Sequence, residues 1–423
     1  MMSKNNNSAR SRKAIKIVLI TVLIILIVVL LAVISAFAYY KSLLSKIQRP
    51  DDVIDYTDDV PGTVDNNDPD DTNDTDNTGG ISIDDMGTDI NDPNVDDDIK
   101  KQNDEIDEII KDLPDDNKDE TPTLPELDSF EDNKVYNILL IGTDERSKNF
   151  NTNARGDSCM LLSLNTYDYS MRLVSFERGM GVPILDGKYK GSYDWLTHTF
   201  RYGGADLMMR TIRECFKVDV NYYVRVNFAT FTEGINAVGG IDMELTAAEA
   251  DYINNELRDT VVSKGWNHLN GKQALSYARC RQIDSDWRRI ERQRNVVQAA
   301  MNQMKSLNIF ELNSALNKLL PLVLTNMPDS MITKLLLTAP NFQGKTAQQM
   351  TIPAKGTYGG MTGLGGRSLF RVDFTANAKI LREFLYPNTK SNSASNAQYG
   401  AGATGIIALP DDAEFAFRKA KAS

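Results

Sequence analysis

Histidine occurs twice in 423 residues, as His198 and His268, and cysteine three times, as Cys159, Cys215 and Cys280. Two histidines exclude histidine-rich metal sites. Three scattered cysteines exclude a disulfide framework and a zinc cage, so they read as buried thiols. No G-x-S-x-G elbow and no G-x-x-x-x-G-K-[ST] loop is present, which removes the serine-hydrolase and P-loop routes. An excess of basic charge is also missing. The net charge of −11 argues against a nucleic-acid binder.

Long apolar runs are absent too, with one exception. Lys4, Arg10, Arg12, Lys13 and Lys16 precede an unbroken run from Ile17 to Ala38. At about 1.5 Å per residue it spans roughly 33 Å, enough for a bilayer. It is longer than the apolar core of a cleavable signal, although Ala36-Phe37-Ala38 has the small-x-small form. The reading is a cytoplasmic N-terminus (1–16), one transmembrane helix (17–38) and everything after it outside the cell membrane. Residues 39–130 follow as an acidic linker. From Pro50 it is dominated by Asp, Asn, Thr and Glu, and it cannot bury enough apolar surface to offset its ordering entropy. It reads as a disordered spacer, within which a short helix near Ile106–Leu113 would not stand alone.

Order begins near Lys134. Val135–Ile141, Ser158–Asn165 and Met171–Glu177 read as strands, the last two joined as an antiparallel hairpin. If the first also runs antiparallel to the second, Asp144, Asp157 and Arg178 leave the sheet at one edge. Beyond them Ala205–Phe216 reads as a helix, Tyr223–Phe228 as a strand, Ala229–Val238 as a helix and Ile241–Leu245 as a half-exposed strand. Asn270 and Gln273 form a capping box for the helix that delivers Arg279. Helical patterns fill Leu307–Ala339, Met350–Pro353 and Ser368–Asp373 read as strands, and Ala376–Tyr386 closes with a helix. The fold class is α/β: a layered α-β-α domain over 131–387 with a mixed central sheet, followed by a flexible tail over 388–423.

The densest chemistry lies in Tyr277–Arg294, YARCRQIDSDWRRIERQR, which holds six arginines, while no lysine occurs between Lys272 and Lys305. Guanidinium offers a planar fork that grips phosphate oxygens two at a time. Ile290, Val297, Met301 and Met304 recur at helical spacing and would face a core, with Arg289, Arg292 and Gln293 on the face beside them. These residues occupy first turns, where a helix favours an anion. Asp144 and Asp157 are suitable oxygen ligands for a hard cation, and Arg155, Arg178, Arg279, Arg281, Arg289 and Arg292 suitable clamps. Arg155-Gly156-Asp157 is too short to carry a cell-adhesion reading, and His198 reads as structural.

Taken together and in order, NILLIGTDER, the R-x-D of RGDSCMLLSL, VSFER, THTFRYGG, VGGIDMEL, and LNGKQALSYARCR with DSDWRRIERQR resemble the LytR–CpsA–Psr family of membrane-anchored bacterial phosphotransferases. The resemblance covers roughly Val135 to Ala300, with TIP…FRVDF…ANAKILREFLY matching the family's C-terminal end. It implies that Asp144 and Asp157 hold Mg²⁺, or Mn²⁺ in its place. It implies that Arg155, Arg178, Arg279, Arg281, Arg289 and Gln293 grip the diphosphate of a polyprenyl-linked glycan, such as a teichoic acid or capsule precursor. Two departures stand out: Gly179 where the family has Asp after the arginine, and Trp195 where it has Lys. Lys188, Lys190 or Arg201 are the candidates for the missing cation. The implied reaction is attack by a peptidoglycan hydroxyl on the glycan-linked phosphorus, forming a phosphodiester and releasing polyprenyl phosphate. Asp157, Arg178 and Asp286 are the catalytic candidates, with Asp157 or Asp286 as base. A hydrolase and a non-catalytic lipid-diphosphate binder are the rival classes.

Overall fold

A computed structural model describes residues 35, 38–50, 104, 106–111, 121–145, 150, 154–258, 261–280 and 283–387. The chain divides after Ile47 into two units. The first contributes a helical stretch at 38–44, and the second carries the sheets. Apart from Ser35 and Ala38, the Ile17–Ala38 run lies outside the described residues. Among the described residues no helix is long and apolar enough to cross a membrane.

The central sheet has five strands: β1 (Val135–Thr143), β2 (Ser158–Asn165), β3 (Met171–Phe176), β6 (Tyr222–Asn227) and β9 (Gln348–Ile352). Their order is β6-β1-β2-β3-β9. β2 is antiparallel to both β1 and β3, whereas β6 and β9 pair in parallel with β1 and β3. The sheet is therefore mixed, as the sequence predicts. Gly142 pairs with Ser158 in the β1–β2 register. The end of β1, the start of β2 and the ends of β3, β6 and β9 thus meet at one edge.

Strand residues alternate in side, and both sides are covered. Leu139, Ile141, Leu161, Val174 and Phe176 join one core cluster with Phe200, Met208, Ile212 and Phe216 of α1 (Leu196–Phe216) and Phe374, Leu381 and Leu385 at the C-terminal end. On the other side Leu140, Leu162 and Leu173 pack with Val297 and Met301. A fully buried side chain of this size contributes about 1.5–3 kcal/mol, so a sheet covered twice is strongly fixed. α1 begins nine residues earlier than the pattern predicts. Gly203 and Gly204 take non-helical angles inside it, and Gly204 has a φ of +61°. The predicted start at Ala205 is the second half of a kinked helix.

Three hairpins complete the strands: β4 (Gly181–Pro183) with β5 (Tyr193–Trp195), β7 (Ile241–Leu245) with β8 (Gly265–Leu269), and β10 (Tyr358–Thr362) with β11 (Ser368–Val372). The remaining helices are α2 (Phe228–Ala237), α3 (Ala247–Leu257), α4 (Gly271–Arg279), α5 (Asp286–Ser306), α6 (Ile309–Leu319), α7 (Asp329–Thr338) and α8 (Phe374–Leu385). The capping box at Asn270 and Gln273 forms as read. A Cβ on Gly271 would lie 2.0 Å from the carbonyl oxygen of Thr232, so only glycine lets α4 approach α2 this closely.

The domain boundary at Glu131 is too late. Residues 106–111 are helical, Ile106 is 3% exposed within the main core cluster, and Ile109 and Ile110 pack against it. Asp107 accepts a hydrogen bond from Ser368. Upstream of β1, Pro122 accepts one from Tyr193 at 2.6 Å. A three-residue apolar stripe in an acidic stretch gains its stability by docking, not by propensity. Residues 51–100 of the predicted spacer, and the tail from 388, lie outside the described residues.

Candidate active site

The sheet edge brings the predicted carboxylates and cations together. Asp144 follows β1, Arg155 and Asp157 precede β2, and Arg178 follows β3. Arg155 donates from its backbone N–H and from Nε to the two oxygens of Asp144, both at 3.0 Å. Asp144 is raised above its ordinary value by burial first and by the Asp157 carboxylate second, with Arg155 pulling it back. Asp144 and Asp157 thus lie close enough to repel one another, with Arg155 beside them.

Arg178 is 4% exposed and lies between two carboxylates. Its Nη1 is 3.7 Å from Asp157 and its Nε 3.6 Å from Asp286. Asp286, in the first turn of α5, accepts from Arg289 Nη2 at 2.8 Å. Arg289 is 3% exposed. Asp157 also receives Thr197 Oγ1 at 3.5 Å, from the first turn of α1. The result is a chain, Asp157–Arg178–Asp286–Arg289, across the ends of β2, β3 and α5, with all but Asp157 buried. Arg178 Nη2 is buried and has no hydrogen-bond acceptor among the described residues. Leaving a buried donor unsatisfied costs about 1–3 kcal/mol, and an anionic oxygen is the acceptor that would recover most of it.

Not every predicted clamp reaches this chain. Arg292 is 3% exposed and is committed to Glu249 at 2.9 Å, to the Cys280 carbonyl at 2.7 Å and to Asp284. Its fork ties α5 to α3 and to the end of α4, so the structure removes Arg292 from the diphosphate set. The apolar stripe of α5 predicts a single buried face. Instead Val296 is buried on one side, in the cluster with Ile235 and Leu269, and Val297 packs on the other. α5 is wedged between two cores, and Arg289, Arg292 and Arg294 are all buried in it. Arg279 is half-exposed, 3.7 Å from Glu256 and with its guanidinium 4.8 Å from the Phe228 ring centre. Gln293 is half-buried one turn beyond Arg289. Arg281 lies outside the described residues. Arg288 pairs with Glu291 at 2.8 Å, both half-exposed.

Two groups escaped sequence reasoning. Glu177, the last residue of the stretch read as the third strand, is 2% exposed and accepts a hydrogen bond from the Gly179 N–H. Asp194 is fully buried and accepts from Tyr202 at 2.6 Å, from the Trp195 backbone at 2.8 Å and from Arg367 at 3.4 Å, with His198 Nδ1 at 2.9 Å. Burial lowers His198, so it is a neutral imidazole with its proton toward Asp194. That is the structural role predicted for it. The Arg367 guanidinium lies 6.0 Å from the Trp195 ring centre. The cation beside position 195 therefore comes from the far end of the chain, where no local signal could find it. Lys188 lies 5.3 Å from the Tyr189 ring, and Arg201 is buried in α1.

The LytR_cpsA_psr family model matches residues 98–383. The chain belongs to the LytR–CpsA–Psr family. The match starts before Glu131, in agreement with the docked helix at 106–111. Among curated relatives, this LytR–CpsA–Psr chain is 33% identical over 216 residues to the polyisoprenyl-teichoic acid–peptidoglycan teichoic acid transferase TagU of Bacillus mycoides, covering 50% of this chain and 64% of that protein. It is 34% identical over 179 residues to TagT of Bacillus subtilis, covering 41% and 54%. The alignments thus span less than two thirds of either relative. A crystal structure from Streptococcus agalactiae is 24% identical with a TM-score of 0.51, covers 62% of this chain and 91% of that one, and shows a shared fold.

Proposed function

We propose that this protein is a phosphotransferase that moves a glycopolymer from a polyprenyl-diphosphate carrier to peptidoglycan. The observation that carries the proposal is the Asp157–Arg178–Asp286–Arg289 chain, with a buried, unsatisfied Arg178 donor at the sheet edge. Two desolvated guanidiniums held by carboxylates suit a diphosphate better than a neutral substrate, and the names of TagU and TagT supply the reaction class. Arg155, Arg279, Arg281 and Gln293 complete the anion-binding set by their place in the family pattern.

Asp144 and Asp157 would hold Mg²⁺. Among the described residues no cluster of three or more metal-binding side chains exists. Two carboxylates nevertheless fit an ion that takes its other ligands from phosphate and water. When bound, the ion neutralises phosphate oxygens. The chain's own residues do the rest. Arg178 and Arg289 stabilise charge on the phosphates as the acceptor oxygen bonds to the glycan-linked phosphorus and the bond to polyprenyl phosphate breaks. The hydroxyl proton passes to a carboxylate at the edge. Asp157, 21% exposed, is more open to an acceptor than Asp286 at 8%. The Ile17–Ala38 run anchors the enzyme in the cell membrane with its catalytic domain on the outer side.

The test is product analysis with a polyprenyl-diphosphate glycan, with and without peptidoglycan. A phosphodiester formed only with acceptor supports transfer. Free glycan phosphate at equal rates in both makes the protein a hydrolase, and no turnover makes it a binding module. Polyprenyl phosphate found by mass spectrometry in the purified protein would support lipid binding independently.

A further inference from the structure

Between Lys305 and Lys345 the chain carries only four charged residues, Glu311, Lys318, Asp329 and Lys334. α7 lies in this stretch and reads DSMITKLLLT. Half of it is apolar, yet none of it is buried: Met331, Ile332 and Leu335 are half-buried, Leu336 is 42% exposed and Leu337 76%. At about 100° per residue the two exposed leucines flank Thr333 on one face. A lone exposed leucine is ordinary, but two neighbours on a helix that gives no residue to a core make an apolar face that calls for a partner.

The start of α7 indicates that partner. Gln48 pairs in parallel with Leu324: its N–H donates to the Val323 carbonyl at 3.1 Å, and its carbonyl accepts from the Thr325 N–H at 3.2 Å. Leu324 in turn bridges Arg225 of β6, so Gln48 extends that edge of the central sheet. Arg49 donates to the carbonyls of Thr325 and Met327 and, at 2.7 Å, to Asp329, the first residue of α7. Gln48 is only the tenth residue after the Ile17–Ala38 run. Ten residues reach about 35 Å at most. The acidic segment 51–103 therefore does not set the distance from that run to the domain; it joins two attached points, Arg49 and the docked helix at 106–111.

We propose that α7 docks on the lipid bilayer, with Leu336 and Leu337 entering the headgroup boundary and the Gln48–Arg49 pairing holding the helix where the chain leaves the membrane. This rests on the reading of Ile17–Ala38 as the anchor. Lipid fits better than a second copy of the chain, because two leucines expose a small part of the roughly 800 Å² per partner that a stable dimer buries. A short apolar helix face suits the interface of a bilayer. The two carboxylates of the stretch are already engaged, Asp329 by Arg49 and Glu311 by the Asn308 N–H at its own helix cap.

The experiment is flotation of the full chain with vesicles of phosphatidylcholine and phosphatidylglycerol, a protease site having been inserted after Gly80. Before cleavage the protein should float; if it does not, the anchor reading itself fails. After cleavage the catalytic domain should still float, also in about 1 M salt, where the screening length is about 3 Å. Burying one leucine changes partition by about 10- to 150-fold, so the double variant Leu336→Asp, Leu337→Asp should release the domain on cleavage. Trp266→Asp, which removes a side chain 73% exposed on the β7–β8 hairpin, should still float. Thermal melts check each variant, and if the double variant melts low, Leu337→Asp alone carries the test. Release of the cleaved wild-type domain in either salt, retention of the double variant, or release of Trp266→Asp overturns the inference. A released wild-type domain that is dimeric assigns the face to a second copy instead.

Discussion

Three arginines within five residues of α5 should respond differently to removal. Arg289 is 3% exposed and donates to Asp286 at 2.8 Å in the clamp. A charge-assisted contact is worth about 1.5–3 kcal/mol, so Arg289→Ala should weaken a polyprenyl-diphosphate analogue by about 10- to 150-fold. Arg289→Lys keeps the charge but loses the fork, and should recover part of that loss. Arg292 is equally buried but bound to Glu249, Asp284 and the Cys280 carbonyl. Removing it strands two carboxylates, which costs about 3–5 kcal/mol of folding stability. In a domain of this size that lowers the melting temperature on the order of 10 °C. Arg288 pairs with Glu291 half-exposed, where such pairs are worth about 0–1 kcal/mol, so Arg288→Ala should change neither quantity appreciably. Calorimetric titration and a thermal melt on the same preparations separate the cases. Equal, small affinity losses in all three, or an Arg292→Ala protein that melts normally but loses diphosphate, would refute the division of roles.

Asp144→Ala and Asp157→Ala should each abolish Mg²⁺-dependent turnover with little loss of melting temperature, since removing one of two repelling carboxylates relieves strain; a collapse of the melt without metal would mark them as structural. A chain beginning at Glu131 should melt below one beginning near Asp98, because burial of Ile106 alone is worth about 1.5–3 kcal/mol. Equal melts would return residues 106–111 to the spacer. His268 is raised by its hydrogen bond to Asp242 and by the Gly239 carbonyl. The stability this contributes is complete below the unfolded histidine value, about pH 6.5, and disappears as pH rises through the higher folded value. Wild type should lose a small margin of melting temperature across that window, and His268→Gln should not.

Where the sequence carries a local signal, the structure follows it. The alternation of Ile241–Leu245, the capping box at Asn270 and the edge shared by Asp144, Asp157 and Arg178 all rest on neighbours in the chain or on strand direction. What escaped depends on distant partners. The role of Arg292 is set by Glu249, 43 residues away, and the cation near Trp195 comes from Arg367. Glu177 reads as one more strand residue, because nothing next to it in the chain signals that its carboxyl is buried. Strands β4 and β10 carry proline or glycine and β5 is only three residues long, so no period-2 pattern could develop.

The most direct test of the central claim is a turnover experiment in ¹⁸O-labelled water with a polyprenyl-diphosphate glycan and peptidoglycan. Transfer through the arginine clamp predicts a glycan–peptidoglycan phosphodiester without ¹⁸O, formed one-for-one with polyprenyl phosphate and lost in Arg289→Ala. Glycan phosphate carrying one ¹⁸O as the main product, with peptidoglycan present, would contradict it.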